Sequence, residues 1–130
     1  GVPLAVSTGI AGPADVVAIA RSDAAPYVVI DAEQVGGLSA ARKCAVVAEA
    51  VNIAPLLGTC DTLGIATAAM LQLVAATPSF SNSNPCAYHE LQEDVLSEGL
   101  EIVDGMVGVP QGPGLGVEVD RAKVERLQVT

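Results

Sequence analysis

Apolar residues recur along this chain in two alternating rhythms. Short unbroken aliphatic runs, such as Tyr27-Val28-Val29-Ile30 and Ile53 to Leu57, are followed by longer stretches with apolar positions every three or four residues. The first rhythm suits strands buried on both faces, and the second suits helices with one apolar stripe. Pro3 to Ser7 predicts a first strand. Gly12-Pro13 then opens a helix whose stripe is Val16, Val17, Ile19 and Ala20, with Asp15 near the positive end of its dipole. The run Tyr27–Ile30 ends at Asp31. A Gly36-Gly37 turn follows, and Ser39 is placed to cap a helix carrying Leu38, Ala41, Ala45, Ala48 and Val51 on its apolar side. After the third strand, Ile53 to Leu57, residues Gly58-Thr59-Cys60 lead to a helix from Thr62 to Ala76, stopped by Pro78.

The last third keeps the pattern less regularly. A polar loop spans 78–84, Cys86-Ala87-Tyr88-His89 predicts a short fourth strand, and Leu91 to Leu96 predicts a helix. Leu100–Val103, the pair Asp104-Gly105 and Met106–Val109 predict a hairpin, because Asp-Gly favours the tight turn that matches strand twist. Pro110, Gly112, Pro113, Gly114 and Gly116 make an irregular strap, and Asp120 is placed to cap a last helix with Arg121, Lys123 and Arg126. Strands alternating with helices imply an α/β fold with a parallel sheet and right-handed crossovers. A complete eightfold barrel needs about 250 residues, so this chain could supply half of one. Periodicity alone leaves that half barrel and a small flavodoxin-like sheet both standing. A single domain over 1–130 is expected, with β/α units over about 1–98 and the hairpin, strap and helix over about 99–130.

Composition narrows the partners. The hydrophobic fraction is 51% with no Trp, one Phe and two Tyr, so the core is aliphatic. The net charge of −9, from 15 acidic and 6 basic residues, repels phosphate backbones and anionic lipid. Nucleic acid and membrane are therefore excluded as partners, and no apolar run approaches the roughly 18 residues of a membrane span. Cys44, Cys60 and Cys86 have neither CxxC nor CxxH spacing, which argues against a zinc site or disulfide framework and for reduced thiols in a cytoplasmic setting.

Five segments resemble, in order, the barrel domain of the enolase superfamily on its mandelate racemase and muconate lactonizing side. Val2-Pro3-Leu4-Ala5-Val6-Ser7-Thr8-Gly9 with Gly12-Pro13 is similar to the family's fifth barrel strand. Ile30-Asp31-Ala32-Glu33-Gln34-Val35-Gly36-Gly37-Leu38 is similar to the sixth, with Ala40 to Lys43 and Ala48-Glu49-Ala50 in the helix after it. Leu73 to Pro78 resembles the helix after strand seven. Val103-Asp104-Gly105 and the run Pro110 to Asp120 resemble the C-terminal signature. The resemblance implies the C-terminal half of a TIM-type (β/α) barrel and a Mg²⁺-assisted removal of the proton α to a small substrate's carboxylate, as in a racemase, cycloisomerase or dehydratase. The metal meets the charge that develops on the resulting enolate.

In such barrels chemistry sits at the C-terminal strand ends, which here are Ser7/Thr8, Asp31, Gly58 and His89/Glu90. The resemblance places Thr8 at an acidic metal-ligand position, where a neutral hydroxyl is a poor Mg²⁺ ligand. It makes Asp31 the strand-six acid that orients a His base in the racemase branch, and it puts Gly58 where that His would stand. Glu90 matches a strand-eight acid that can hydrogen-bond a substrate carboxylate or enolate. The ligands of strands three and four belong to the other barrel half. The resemblance thus implies a chain inactive by itself, binding no Mg²⁺ alone, and working as a homo-oligomer or with a complementary N-terminal half.

Each residue also has a plainer reading. Asp31 suits a turn acid that accepts backbone N–H groups. Glu90, with Glu93 and Asp94, suits the start of a helix. His89 suits a barrel layer or the surface better than a Ser/His/Asp triad. Gly112, Gly114 and Gly116 do not form GxGxxG and suit backbone angles in the strap. Cys60 has no basic neighbour in sequence to make it a nucleophile. A non-catalytic structural or binding module that keeps the half-barrel fold therefore stands as the alternative to an enzyme.

Overall fold

The computed structural model describes residues 1–58 and 62–128. Its contacts gather into two compact units, one of residues 1–58 with 76–85, the other of the described residues 62–75 with 86–128.

The first unit is a three-stranded parallel sheet, ordered β1-β2-β3, formed by Ala5–Val6, Tyr27–Asp31 and Ala54–Gly58. Two helices, α1 (Pro13–Arg21) and α2 (Leu38–Ala50), connect these strands, as the strand-helix alternation predicts. β2 and β3 pair in register over five residues, from Tyr27 opposite Ala54 to Asp31 opposite Gly58. β1 is shorter than Pro3–Ser7 and pairs with β2 only through Ala5 and Val6.

Packing explains the pairing. Val28, Ile30, Pro55 and Leu57 are buried, whereas the alternate positions Tyr27, Val29, Ala54 and Leu56 are only half-buried. Expected burial of β2 on both faces is thus corrected to one fully covered face. α2 lies against β2 and β3 and buries Ala41, Cys44, Ala45 and Ala48, a stripe small enough for close approach to a sheet. Leu38 begins that helix but is exposed, and Val51 is half-buried, so the stripe is narrower than periodicity suggests. In α1 only Val16 of the four expected residues is buried.

Caps differ in detail. Asp15 accepts N–H bonds from Ala11 at 2.8 Å and Gly12 at 3.1 Å, closing the start of α1. At α2 the cap is Gly37 rather than Ser39, because Gly36 and Gly37 hold φ of 92° and 109° and bring Gly37 N–H 2.6 Å from Ala32 O. Those angles strain any residue with a Cβ. Ser39 therefore falls inside the first turn and makes no side-chain cap bond. At the edge of β3, Asn84 Oδ1 accepts the Leu57 N–H at 2.7 Å, so a side chain supplies the acceptor that another strand would bring.

The second unit contains α3 (Gly64–Ala75), a hairpin of β4 (Ile102–Val103) and β5 (Met106–Val107), and α4 (Arg121–Leu127). Asp104 and Gly105 turn the hairpin with φ of 51° and 75°, the left-handed pair that an Asp-Gly turn provides. Asp120 caps α4 as expected, accepting from Ala122 N–H at 2.9 Å and Lys123 N–H at 3.2 Å. Gln72 on α3 holds the strap by donating Nε2 to Pro110 O at 2.8 Å. The expected fourth strand is corrected to a single bridging residue, Cys86, followed by a 3₁₀ turn, Tyr88–Glu90. The expected helix at Leu91–Leu96 is corrected to irregular chain, with Leu96 bridged antiparallel to Val119.

Candidate active site

Parallel pairing puts the C-terminal ends of β1, β2 and β3 at one edge of the sheet, where barrel chemistry resides. Thr8 follows β1 and is exposed. Asp31 is the last residue of β2, and Gly58, the last of β3, stands opposite it in the register.

Asp31 is half-buried, and its carboxylate is engaged locally. Oδ1 accepts the Glu33 N–H at 2.8 Å and the Gln34 N–H at 3.4 Å, while Oδ2 accepts Gln34 Nε2 at 3.3 Å. This is an Asx turn that starts the loop to α2. The turn role anticipated for Asp31 is present in the geometry, and both oxygens keep lone pairs for a further donor.

Gly58 is held by packing. A Cβ built there would stand 2.5 Å from Val29 Cγ1 and 3.9 Å from Pro85 Cγ. The position expected to hold a base in relatives is thus closed to any side chain unless Val29 moves.

In the second unit the 3₁₀ turn carries the other two candidates. His89 Nε2 lies 3.7 Å from Glu90 Oε1, and the two side chains are 62% and 71% exposed. In this chain His89 is exposed, which fits the surface reading. Tyr88, opening the same turn, is buried. Its hydroxyl donates to Asp94 Oδ2 at 2.7 Å and accepts the Leu100 N–H at 3.0 Å. Burial, with the Asp94 carboxylate second, pushes the Tyr88 phenol above its ordinary 10.0, against a smaller lowering by the Leu100 N–H. Asp94 Oδ1 also accepts the Gly64 N–H at 2.9 Å.

In the sequence Asp94 stands with the charges Glu90 and Glu93 in a pattern that suits a helix start, which conceals this network. The available signal was that a buried Tyr needs a partner for its hydroxyl. Cys44 is buried and its thiol is pushed up, chiefly by burial and then by Asp15. Cys60 lies outside the described residues.

Among the described residues no three His, Cys, Asp or Glu side chains converge to hold a metal ion. With an exposed hydroxyl at Thr8 and turn bonds on Asp31, this donor set does not fit Mg²⁺. No described helix is long and apolar enough to cross a membrane.

Known proteins share this chain's sequence pattern and fold. The profile of the family described as enolase C-terminal domain-like matches residues 1–123. Muconate cycloisomerase 1-2 of Acinetobacter lwoffii is 34% identical over 128 residues, which are 98% of this chain and 33% of that protein. The crystal structure of 2-chloromuconate cycloisomerase from Rhodococcus opacus matches with a TM-score of 0.91 at 25% identity, over 100% of this chain and 36% of that one. An enolase from Pseudomonas fluorescens, solved with bound magnesium, potassium and tartrate, matches with a TM-score of 0.88 at 27% identity, over 98% of this chain and 30% of that one. The chain thus spans about a third of the length of these relatives. The expected α/β fold, the C-terminal part of a (β/α) barrel, is borne out by these likenesses.

Two measurements check the site. Gly58→Ala is expected to destabilise the chain by about 1–3 kcal/mol in urea unfolding, and Val29→Ala is expected to recover part of that loss in the double variant. A Gly58→Ala variant as stable as the parent would contradict the packing. In a Tyr27→Phe background, absorbance at alkaline pH reads Tyr88 alone, with a midpoint expected above 10.0 that falls on Asp94→Asn. Because the folded value is raised, its stabilisation is complete below the unfolded value of 10.0 and is lost as pH rises through the folded one.

Proposed function

The chain belongs to the enolase superfamily, as a C-terminal barrel domain of its mandelate racemase and muconate lactonizing branch, and on that premise we propose that it supplies one side of an active site that removes the proton α to a small substrate's carboxylate. The observation that carries this reading is the shared edge where β1, β2 and β3 end, with Asp31 on it. Asp31 orients or takes part in the proton relay, and Glu90, with its exposed carboxyl, hydrogen-bonds the substrate's carboxylate or enolate when protonated. The reaction class is racemization, cycloisomerization or dehydration. The acids of strands three and four belong to the part of the barrel that this chain does not span, and Thr8 stands in place of the strand-five acid, so on this reading the chain is expected not to turn over alone. A cytoplasmic setting suits the free Cys44 and Cys86.

A second reading, a non-catalytic structural or binding module, has its own support. Gly58 is packed too tightly for a side chain, and Asp31 already serves a turn. The two readings part in a deuterium-exchange assay. With the chain joined to an N-terminal barrel half of a relative and supplied with magnesium, small carboxylates are expected to exchange their α proton in D₂O, followed by proton NMR. Asp31→Asn and Glu90→Gln are each expected to slow exchange by about 100-fold or more. No exchange in the joined protein supports the module, and exchange by the 130 residues alone overturns the claim that the site is shared.

We also propose that the chain associates, with a second copy or with an N-terminal barrel half. β1 is an edge strand, Val2 and Leu4 before it are 88% and 66% exposed, and Val29 and Leu56 are only half-covered. Light scattering at micromolar concentration is expected to give a mass of at least a dimer, and a monodisperse monomer would speak against self-association.

A further inference from the structure

We infer that Asp94 is a positioning residue, which fixes the turn bearing His89 and Glu90 to the beginning of α3. The inference rests on the reading that Glu90 meets the substrate. Three donors converge on the Asp94 carboxylate: Oδ1 accepts Gly64 N–H at 2.9 Å and Val95 N–H at 2.8 Å, and Oδ2 accepts the Tyr88 hydroxyl at 2.7 Å. Such bonds to an ionised acceptor are stronger than neutral ones. Tyr88 is the first residue of the 3₁₀ turn. The turn closes through Glu90 N–H on Ala87 O at 2.9 Å and Leu91 N–H on Tyr88 O at 3.2 Å. One buried side chain thus anchors a turn whose next two side chains, His89 and Glu90, point to solvent.

A helix cap alone would need only the bond to Gly64. The Tyr88 bond goes further, because it ties the height of the turn to the helix start. Fit around the anchor is close, since a Cβ at Gly64 would stand 2.5 Å from Leu96 Cδ1. The segment carrying Asp94 is itself held from its other flank. Arg126 on α4 donates Nη1 to both oxygens of Glu93 at 2.8 and 3.0 Å, and Lys123 Nζ donates to Leu96 O. Asp120 N–H meets Val95 O at 2.8 Å, and Ser97 N–H meets Glu118 O at 2.9 Å. Strap and last helix therefore brace Asp94, and Asp94 sets the turn.

His89 is the single histidine, so its ring signals in proton NMR report the turn without ambiguity. In the 130-residue chain, Asp94→Asn and Tyr88→Phe are both expected to move or broaden the His89 ring resonances while the methyl signals of Val28 and Ile30 stay in place. Unmoved His89 resonances in both variants overturn the inference. Tyr88→Phe, which keeps the ring and loses only the hydroxyl, decides alone should Asp94→Asn not fold. In the joined protein, Asp94→Asn is expected to slow α-proton exchange about 10- to 100-fold and to add nothing in a Glu90→Gln background. An effect that adds fully there shows Asp94 acting apart from Glu90 and overturns the positioning role. If Glu90→Gln is itself without effect, the functional reading fails, and the NMR comparison still decides whether Asp94 positions the turn.

Discussion

Five residues of in-register parallel pairing between β2 and β3 govern what else this chain can do. Parallel strands cannot be joined by a tight turn, so a crossover must leave the far end of one strand and return to the near end of the next. That requirement puts α2 between them, and the small stripe Ala41, Cys44, Ala45 and Ala48 lets the helix lie close. It also puts the two strand ends, Asp31 and Gly58, side by side. Chemistry at one edge of the sheet is a consequence of connectivity before any particular side chain is chosen.

Much of this was legible because the signals were local and agreed with one another. The β-branched run before Asp31 favours extended chain, and the Gly36-Gly37 turn and the Asp104-Gly105 hairpin each name a backbone conformation that few other residues accept. Where reading failed, distant contacts had decided. Cys86-Ala87-Tyr88-His89 is apolar enough to suggest a strand, yet the hydroxyl of Tyr88 takes its partners from Asp94 and Leu100, six and twelve residues away. Leu91–Leu96 has the composition of a helix. Its last residues instead pair with Glu118, Val119 and Asp120 of the strap, a competition no window of sequence displays. Ser39 looked like a cap because Ser is a good one. Gly37 preceded it and could adopt the angles that a Cβ forbids.

At the candidate site less was legible, since a sequence shows which residues stand at strand ends but not what they touch. Gly58 illustrates this. As a letter it is only a missing base, whereas in the fold it is the place where Val29 fills the space a side chain would need. Restoring a base there would require a second change at Val29, so the departure from the family pattern is built into the sheet's packing.

The acidic residues carry the same lesson further. A net charge of −9 suggests carboxylates to spare, yet four aspartates each serve backbone N–H groups. Asp15 closes the start of α1, Asp31 the loop after β2, Asp94 the start of α3 and Asp120 the start of α4. A carboxylate used this way is held in place by its donors and has lone pairs taken up by them, which suits a scaffold better than a metal ligand that must offer its lone pairs outward. Glu90 differs, because its carboxyl is exposed beside His89 and its backbone, not its side chain, makes the turn. For Asp31 to act on a substrate it must do so with the lone pairs that Glu33 and Gln34 leave over, so its reactivity depends on the same turn that orients it. Glu90 depends on its turn differently, through the Tyr88 and Asp94 anchor beneath it.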